Sequence, residues 1–206
     1  MSAAGRLSAA DRRRQLVAVA LDLFAERGFN ATTMDDIAER AGVTKPLLYQ
    51  HFASKRALYL ELVDGVSHDM VEAIATSAAA ASGPRQQVEA GFAAYFQFVA
   101  TSTTAFRRIF GSDIPDDPEL SGALRRVEAA AVDAVDVLID AGLEPEHRRL
   151  LAQAVMGMAE AASRYWLAST DDSDFDDHQA RVAQATVMAR RLADMAWAGL
   201  RSVHRD

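Results

Sequence analysis

The amino-acid sequence predicts an all-α protein of about nine helices, and three observations support this fold class. Apolar residues recur three and four positions apart over long segments, which is the period of a helix with one buried face. Runs that alternate apolar and polar residues, as half-buried strands do, are almost missing. Serine, threonine and aspartate occupy helix-capping positions, and glycine and proline separate the apolar segments.

Capping and stop signals define the first four predicted helices. Ser8 with Asp11 has the spacing of a capping box, in which a hydroxyl accepts a hydrogen bond from the backbone N–H three residues on. Thr33 with Asp36 repeats this spacing before the second helix. Gly28 follows the last apolar residues of the first helix and is expected to end it. The four predicted helices span residues 8–28, 33–41, 44–51 and 54–81.

Proline and glycine set the later helix boundaries. Gly83-Pro84 breaks the chain, because proline lacks an N–H and restricts the residue before it. Gly142 is expected to end one helix, and Pro145 suits the first turn of the next. The predicted helices after this break span residues 85–102, 104–110, 118–141, 145–168 and 176–203.

The charge is distributed unevenly along the chain. The whole protein has a net charge of −7, but residues 1–56 carry +3 and the remainder carries −10. A basic end suits DNA phosphates, and an acidic body is repelled by them. The N-terminal arm, with Arg6 and Arg12–Arg14, either reaches a neighbouring stretch of DNA or forms a solvated terminus, and the sequence leaves both open.

Residue usage also excludes several classes of protein. The absence of cysteine removes disulfides, thiolate metal sites and cysteine nucleophiles together. The sequence has no apolar run long enough to cross a bilayer and no secretory signal, so we expect a cytoplasmic protein with no membrane contact. No HExxH, GxSxG or glycine-rich phosphate loop is present, so we predict no catalytic residues, no metal and no cofactor. An unrecognised helical enzyme is the distant alternative.

Residues 33–52 have the order of a helix-turn-helix motif, in which a short helix positions a second helix for the DNA major groove. Gly42 tolerates the positive φ that the turn requires, and Val43 fills the angle between the helices. The buried face of the first helix is expected to consist of Ile37, Ala38 and Ala41. The second helix then presents its N-terminal residues outward.

Polar groups in and around this motif are spaced to reach DNA phosphates. The hydroxyl of Tyr49, the imidazole of His51 and the amino group of Lys55 follow one another along the second helix and its end. Thr33 adds a hydroxyl at a helix N-terminus, where the partial positive charge attracts a phosphate.

These residues resemble the TetR family of bacterial one-component regulators over some fifty positions. The matching elements are Leu23-Phe24, Gly28-Phe29, Thr32-Thr33, Ile37-Ala38, Ala41-Gly42-Val43, Leu48-Tyr49, His51-Phe52 and Ser54-Lys55. The resemblance implies phosphate contacts by Thr33, Thr44, Tyr49, His51 and Lys55. It places nearest the bases Lys45, Pro46 and Gln50. It further implies a DNA-binding domain over residues 1–56, a ligand-binding and dimerisation domain over 57–206, and a palindromic operator as partner.

The resemblance also implies a homodimer built by the helices near 145–168 and 176–203. The stripe on the first of these helices consists of Leu150, Leu151, Ala154, Val155, Met158, Ala162 and Trp166. The stripe on the second consists of Val182, Ala185, Ala189, Leu192, Ala196 and Leu200. Without the resemblance, such stripes are more often the core of a single chain.

A sensor cavity is expected in the C-terminal body, where aromatic and apolar residues share helix faces with a few polar groups. The candidate ligand-binding residues are Phe92, Phe96, Val99, Phe106, Phe110, Met156, Glu160 and Arg164. The alternative for each of them is a place in the ordinary core.

A finer resemblance extends into this body. The segments KPLLYQHFASKRALYLELV, AYFQFVATSTTAFRRIF, DDPEL and GMAEAASRYWL are similar to FasR-type regulators of actinobacterial fatty-acid synthesis. This resemblance implies a long-chain acyl-CoA effector in an apolar tunnel, the release of operator DNA when it binds, and control of lipid-metabolism genes. A repressor of an efflux or catabolic operon that senses a drug-like, aromatic or steroid ligand is the alternative.

Overall fold

Eight α-helices and no strand are present in the residues that the computed structural model describes, which are 8–102, 117–139, 142–169 and 177–203. The helices are α1 (Ala9–Ala31), α2 (Met34–Arg40), α3 (Lys45–His51), α4 (Lys55–Ala79), α5 (Pro84–Thr101), α6 (Pro118–Asp136), α7 (Pro145–Ser169) and α8 (His178–Leu200). The all-α fold class is therefore confirmed. The short helix predicted over 104–110 lies outside the described residues. Each of the eight helices is too short or too polar to cross a membrane.

Local capping starts α1 and α2 where the sequence predicts. Ser8 Oγ accepts from the N–H of Asp11 at 3.1 Å. Thr33 and Asp36 form a complete capping box, with N···O distances of 3.1 Å and 2.8 Å. Gly28 leaves the helical region with φ 80° and ψ 166°, which kinks the chain before the last residues of α1. Glycine suits this position because a side chain would be strained at positive φ.

The end of α6 differs from the prediction. The helix ends at Asp136 and not at Ala141, and residues 140–141 lie outside the described ranges. The N–H of Ile139 bonds to the carbonyl of Asp136, only three residues back, at 3.2 Å. This tighter turn ends the α-helical pattern. Arg148 of α7 donates to the Asp136 carboxylate at 3.0 Å and 3.1 Å, which holds the turn in place.

The described residues form two compact units. Unit 1 contains residues 8–65 and 117–123, and unit 2 contains residues 66–102, 124–139, 142–169 and 177–203. The long helices α4 and α6 each contribute residues to both units.

The core of unit 1 is built from the apolar faces of α1, α2, α3 and the first turns of α4. Its buried side chains include Leu16, Leu23, Phe24, Ile37, Leu48, Phe52, Leu58 and Leu62. The rings of Phe24, Phe29 and Tyr59 contact one another with centroid separations of 4.9–5.7 Å. Aromatic contact at this range adds to the free energy gained by burial.

The core of unit 2 is centred on α5, which packs along α8. The buried residues of α8 are the small side chains Ala185, Ala189, Ala193 and Ala196. Toward α7, the ring of Phe96 lies 6.5 Å from that of Trp166. Tyr95 Oη lies 3.1 Å from Ser163 Oγ, and the two buried hydroxyls form a hydrogen bond. Burial raises the pKa of the Tyr95 phenol above its usual range, so the hydroxyl stays neutral.

Candidate DNA interface and effector cavity

The turn between α2 and α3 has the geometry of a helix-turn-helix. Gly42 has φ 66°, the positive value expected for the turn. The N–H of Val43 bonds to the carbonyl of Ala38 at 2.9 Å, which closes the turn. The predicted packing face of α2 is buried, and Leu48 is the buried residue of α3. With Leu48 fixing one face of this short helix, its opposite face lies at the surface.

Most of the predicted DNA contacts share this exposed face of α3 or its N-cap. Lys45, Pro46, Tyr49 and Gln50 are exposed and lie at positions i, i+1, i+4 and i+5, which fall on one side of a helix. Thr44 is the N-cap and makes no side-chain hydrogen bond to the helix. The side chain of Tyr49 is 45% exposed, so its ring and hydroxyl lie at the surface.

Two of the predicted DNA contacts, Thr33 and Lys45, pair with carboxylates of the protein itself. Thr33 Oγ1 donates to the Asp36 carboxylate at 2.6 Å as part of the α2 cap. Lys45 pairs with Asp35 at 2.8 Å, and this pairing raises the pKa of the lysine. Both pairs are exposed, so the exchange of a protein carboxylate for a DNA phosphate costs little. His51, at the end of α3, is partly buried.

Lys55 has a different environment from the one expected of a phosphate contact. Its amino group donates to the carbonyls of Phe29 and Thr32 at 2.6 Å and 2.8 Å. It also lies 4.3 Å from the centre of the Phe29 ring. Burial lowers the pKa of this amine. The geometry favours a structural role, in which Lys55 ties the start of α4 to the end of α1, and its phosphate contact stays a prediction.

Arg13 is a positioning residue that the sequence reasoning missed. Its guanidinium pairs with Glu61 and donates to the carbonyl of His51, the last residue of α3, at 2.6 Å. It also lies over the ring of Phe52 at 4.3 Å. A signal was present, because Arg13 lies three residues before Leu16 on the buried face of α1. Arg13 therefore holds the end of the exposed helix.

The rest of the basic arm makes local contacts. Arg12 donates to the Gln15 side chain at 2.6 Å, and Arg14 pairs with Asp11. Arg6 lies outside the described residues.

Arg56 links the start of α4 to the start of α6 within unit 1. Its guanidinium pairs with Asp117 and approaches Glu119 at 3.4 Å. Asp117 also caps α6, because its carboxylate accepts from the N–H groups of Glu119 and Leu120 at 2.9 Å and 3.2 Å. Burial opposes the charge on Asp117, but these N–H groups and Arg56 outweigh it and lower its pKa.

A cavity of about 220 Å³ lies within unit 2, and its wall is almost wholly apolar. It is lined by Ile74, Pro84, Gln87, Val88, Gly91, Phe92, Tyr95, Val135, Leu138, Ile139, Leu143, Leu151, Val155, Met156, Ala159, Trp197, Leu200, Arg201 and Val203. The wall is shared by α4, α5, α6, α7 and α8 and the turns that follow α6 and α8. Its size exceeds the ~150 Å³ of an apolar protein cavity that binds benzene.

The candidate ligand residues have different positions relative to this cavity. Phe92 and Met156 line it. Phe96 and Val99 are fully buried and do not line it. Phe106 and Phe110 lie outside the described residues, so the sequence prediction about them has no structural counterpart here. Other lining residues were not predicted from the sequence. They include Ile139, in a segment predicted to end a helix, and Trp197 and Leu200, in the helix predicted to form the dimer contact.

The partly buried Glu160 and the exposed Arg164 form a pair outside the lining of this cavity. Their carboxylate and guanidinium lie 3.7 Å apart. Burial, assisted by the negative charge of Glu128, raises the pKa of Glu160, while Arg164 opposes this shift. A direct ligand contact by either residue stays a prediction.

The stripe predicted for dimerisation on the last helix belongs largely to the chain's own core. Ala185, Ala189 and Ala196 are buried, and Leu200 lines the cavity. On α7, Trp166 is buried, and the cavity is lined by Leu151 and Val155. These residues pack inside unit 2. Apolar periodicity predicts that a helix face is buried, but it does not predict whether the same chain or a second protomer covers that face.

Comparison with known proteins agrees with this arrangement. Residues 16–62 match the family described as "Bacterial regulatory proteins, tetR family". The HTH-type transcriptional activator FasR of Mycolicibacterium smegmatis is 34% identical over 200 residues, which cover 96% of this chain and 87% of that protein. The HTH-type transcriptional repressor KstR2 of Rhodococcus jostii is 46% identical, but over 59 residues, 29% of each chain.

Solved structures share the fold. A TetR-like transcriptional regulator from Rhodococcus sp. RHA1 is 25% identical, with a TM-score of 0.68 over 96% of this chain and 100% of that one. The regulator FadR of Bacillus subtilis, solved in complex with stearoyl-CoA, is 15% identical, with a TM-score of 0.71 over 93% and 99% of the two chains. The helix-turn-helix geometry, the family match and the similarity to FasR along nearly the whole chain agree. The chain belongs to the TetR family of DNA-binding transcriptional regulators.

Proposed function

We propose that this regulator senses a long-chain acyl-CoA and controls genes of lipid metabolism. The observation that carries the proposal is the apolar cavity of unit 2, whose wall suits a hydrocarbon chain. Two comparisons support it: the similarity to FasR extends over nearly the whole chain, and FadR, which has the same fold, was solved in complex with stearoyl-CoA. Each CH₂ group buried in such a wall contributes about 0.8 kcal/mol.

The proposed DNA partner is a palindromic operator, bound by a homodimer through the exposed face of α3 in each protomer. The residues proposed to contact phosphates are Thr33, Thr44, Tyr49, His51 and Lys55, and those nearest the bases are Lys45, Pro46 and Gln50. For the dimer contact we propose the faces of α7 and α8 that are exposed in the single chain, which include Leu150, an exposed member of the stripe predicted on α7. These faces expose the large apolar residues Leu150, Tyr165, Val187 and Met195.

We propose that α4 and α6 carry the response, because each has residues in both units. Ile74 of α4 and Val135 of α6 line the cavity. At the other ends of the same helices, Arg56 and Asp117 form an ion pair in unit 1. A ligand that displaces the cavity wall would shift these helices and with them α3. The shift is limited by the difference in ligand affinity between the two forms.

Asp117→Asn tests this coupling. Asparagine caps a helix as well as aspartate does, so the variant removes the charge facing Arg56 and keeps the start of α6. We expect the affinity for the effector to stay within about twofold of the native value. The factor by which the effector lowers operator affinity should become about threefold smaller, because a partly exposed ion pair contributes a free energy of that size. Operator affinity is measured by fluorescence anisotropy with and without palmitoyl-CoA.

The matched control is Asp194→Asn, which removes an ion pair with Arg85 at 3.2 Å inside unit 2. It should leave the response unchanged. An equal response in native protein and Asp117→Asn would remove this ion pair from the mechanism.

Native mass spectrometry of freshly purified protein tests the proposed effector. We expect a bound species with the mass of an acyl-CoA, and release of an operator, selected from random DNA, when that species is added. A bound or releasing drug-like, aromatic or steroid molecule would instead support the alternative, a regulator of an efflux or catabolic operon.

A further inference from the structure

The polar groups of the cavity are distributed unevenly. Among the described lining residues, Arg201 is the one that carries a charge, and Gln87 is the one with a side-chain amide. Tyr95 and Trp197 add rings with a polar atom, and the other lining residues present only apolar side chains or glycine. Among its described lining residues, the cavity therefore has one positively charged side chain in an otherwise largely apolar wall.

Arg201 marks where this cavity meets the surface. It is the C-cap of α8 and is exposed, yet it lines the cavity together with Trp197 and Leu200 of the last turn. A residue that is exposed and also lines a cavity lies at its opening. An arginine side chain at this position is long and flexible enough to bring its guanidinium to the mouth, while the rest of the described lining holds no charged side chain.

We propose that Arg201 binds the negatively charged group of an amphipathic effector whose apolar part fills the cavity. The inference rests on the proposed function and adds the residue that orients the ligand. An ionised group deep in the cavity would lose its hydration and meet no opposite charge there, so the charge should stay at the mouth. A guanidinium there can donate two parallel hydrogen bonds to a carboxylate or a phosphate.

Two ligands share this chemistry. The carboxylate of a free fatty acid and the phosphates of its CoA ester are both anionic acceptors attached to an apolar chain. The fatty alcohol of equal length has the same chain and no charge. Comparison of the three probes separates the headgroup contribution from the contribution of the chain.

The test measures binding of palmitic acid, palmitoyl-CoA and hexadecan-1-ol to the full-length protein. Trp197 lines the cavity, so tryptophan emission reports its occupancy. We expect at least one anion to bind more tightly than the alcohol. Arg201→Gln should weaken binding of that anion about fivefold and that of the alcohol by less than about twofold, as for a partly exposed charge pair. Arg201→Lys should restore most of the preference.

Arg126→Gln is the matched control, since it removes an exposed arginine of α6 that does not line the cavity. It should leave all three affinities unchanged. If Arg201→Gln keeps the native preference for the anion, or weakens anion and alcohol equally, Arg201 only balances the partial negative charge at the end of α8 and the inference is wrong. Failure of the proposed function is distinct: native protein would bind none of the probes, or would bind them without losing the operator.

Discussion

Lys45→Glu is expected to lower operator affinity on the order of a hundredfold. Lys45 lies at the start of α3 on the exposed face, paired only with the exposed carboxylate of Asp35 among the described residues. The substitution replaces attraction to the DNA with repulsion, and a dimer repeats the change at each half-site. A charge close to a DNA phosphate contributes about 1–4 kcal/mol before screening by salt. Reversing the charge of Lys45 should therefore lower the affinity more than the loss of an uncharged contact would.

The measurement is anisotropy of labelled operator across a range of salt concentrations. The dependence of affinity on salt should become less steep, because fewer counterions are released. Lys45→Gln should fall between native and Lys45→Glu. Arg126→Glu makes the same change in net charge on an exposed residue of unit 2 and should have a much smaller effect. Equal losses for the two reversals would mean that general charge, and not the face of α3, sets the affinity.

The second large effect is expected from filling the cavity. Gly91 of α5 lines it, and a Cβ at this position would meet only the Ile74 side chain, at 4.0 Å. Leucine is also a better helix former than glycine. Gly91→Leu should therefore fold and bind operator normally, while it displaces about four carbon atoms of the ligand. At about 0.8 kcal/mol per carbon, effector binding should weaken about two-hundredfold.

The readouts for this variant are operator affinity and the palmitoyl-CoA concentration that releases half of the operator. Gly65→Leu is the control, because Gly65 is a helical glycine with nothing within 4 Å of its added Cβ and does not line the cavity. Native sensitivity to palmitoyl-CoA in Gly91→Leu would place the effector elsewhere in the protein.

The helix-turn-helix could be predicted from sequence because its determinants are local. The cap at Thr33, the turn at Gly42 and the buried contact of Leu48 lie within one short segment, and together they fix which side of α3 is exposed. Given that side, helical spacing alone places Tyr49 on the surface. The candidate DNA contacts on α3 follow from the same spacing.

Lys55 illustrates where local pattern is insufficient. A lysine just after the second helix of such a motif suggests a phosphate contact. Its two acceptors, the carbonyls of Phe29 and Thr32, are created where the chain leaves α1 after Gly28, far back in the sequence. Spacing along one helix carries no information about acceptors that another segment supplies.

The cavity could not be predicted residue by residue for the same reason. Phe92 and Phe96 lie four residues apart on one face of α5, yet Phe92 lines the cavity and Phe96 packs near Trp166. The difference arises from how α7 and α8 cross α5, which depends on contacts between distant segments. The same limit explains the alanines of α8, whose periodicity indicated burial but not the surface that buries them.

The most direct test of the regulator as a whole is an operator-release titration with palmitoyl-CoA, carried out while tryptophan emission follows cavity occupancy. We predict that operator release and cavity occupancy rise together, with the same half-maximal concentration, in native protein. In Gly91→Leu both should move together to higher concentration. Saturation of the cavity with operator affinity unchanged would contradict the central claim that a ligand in unit 2 controls DNA binding.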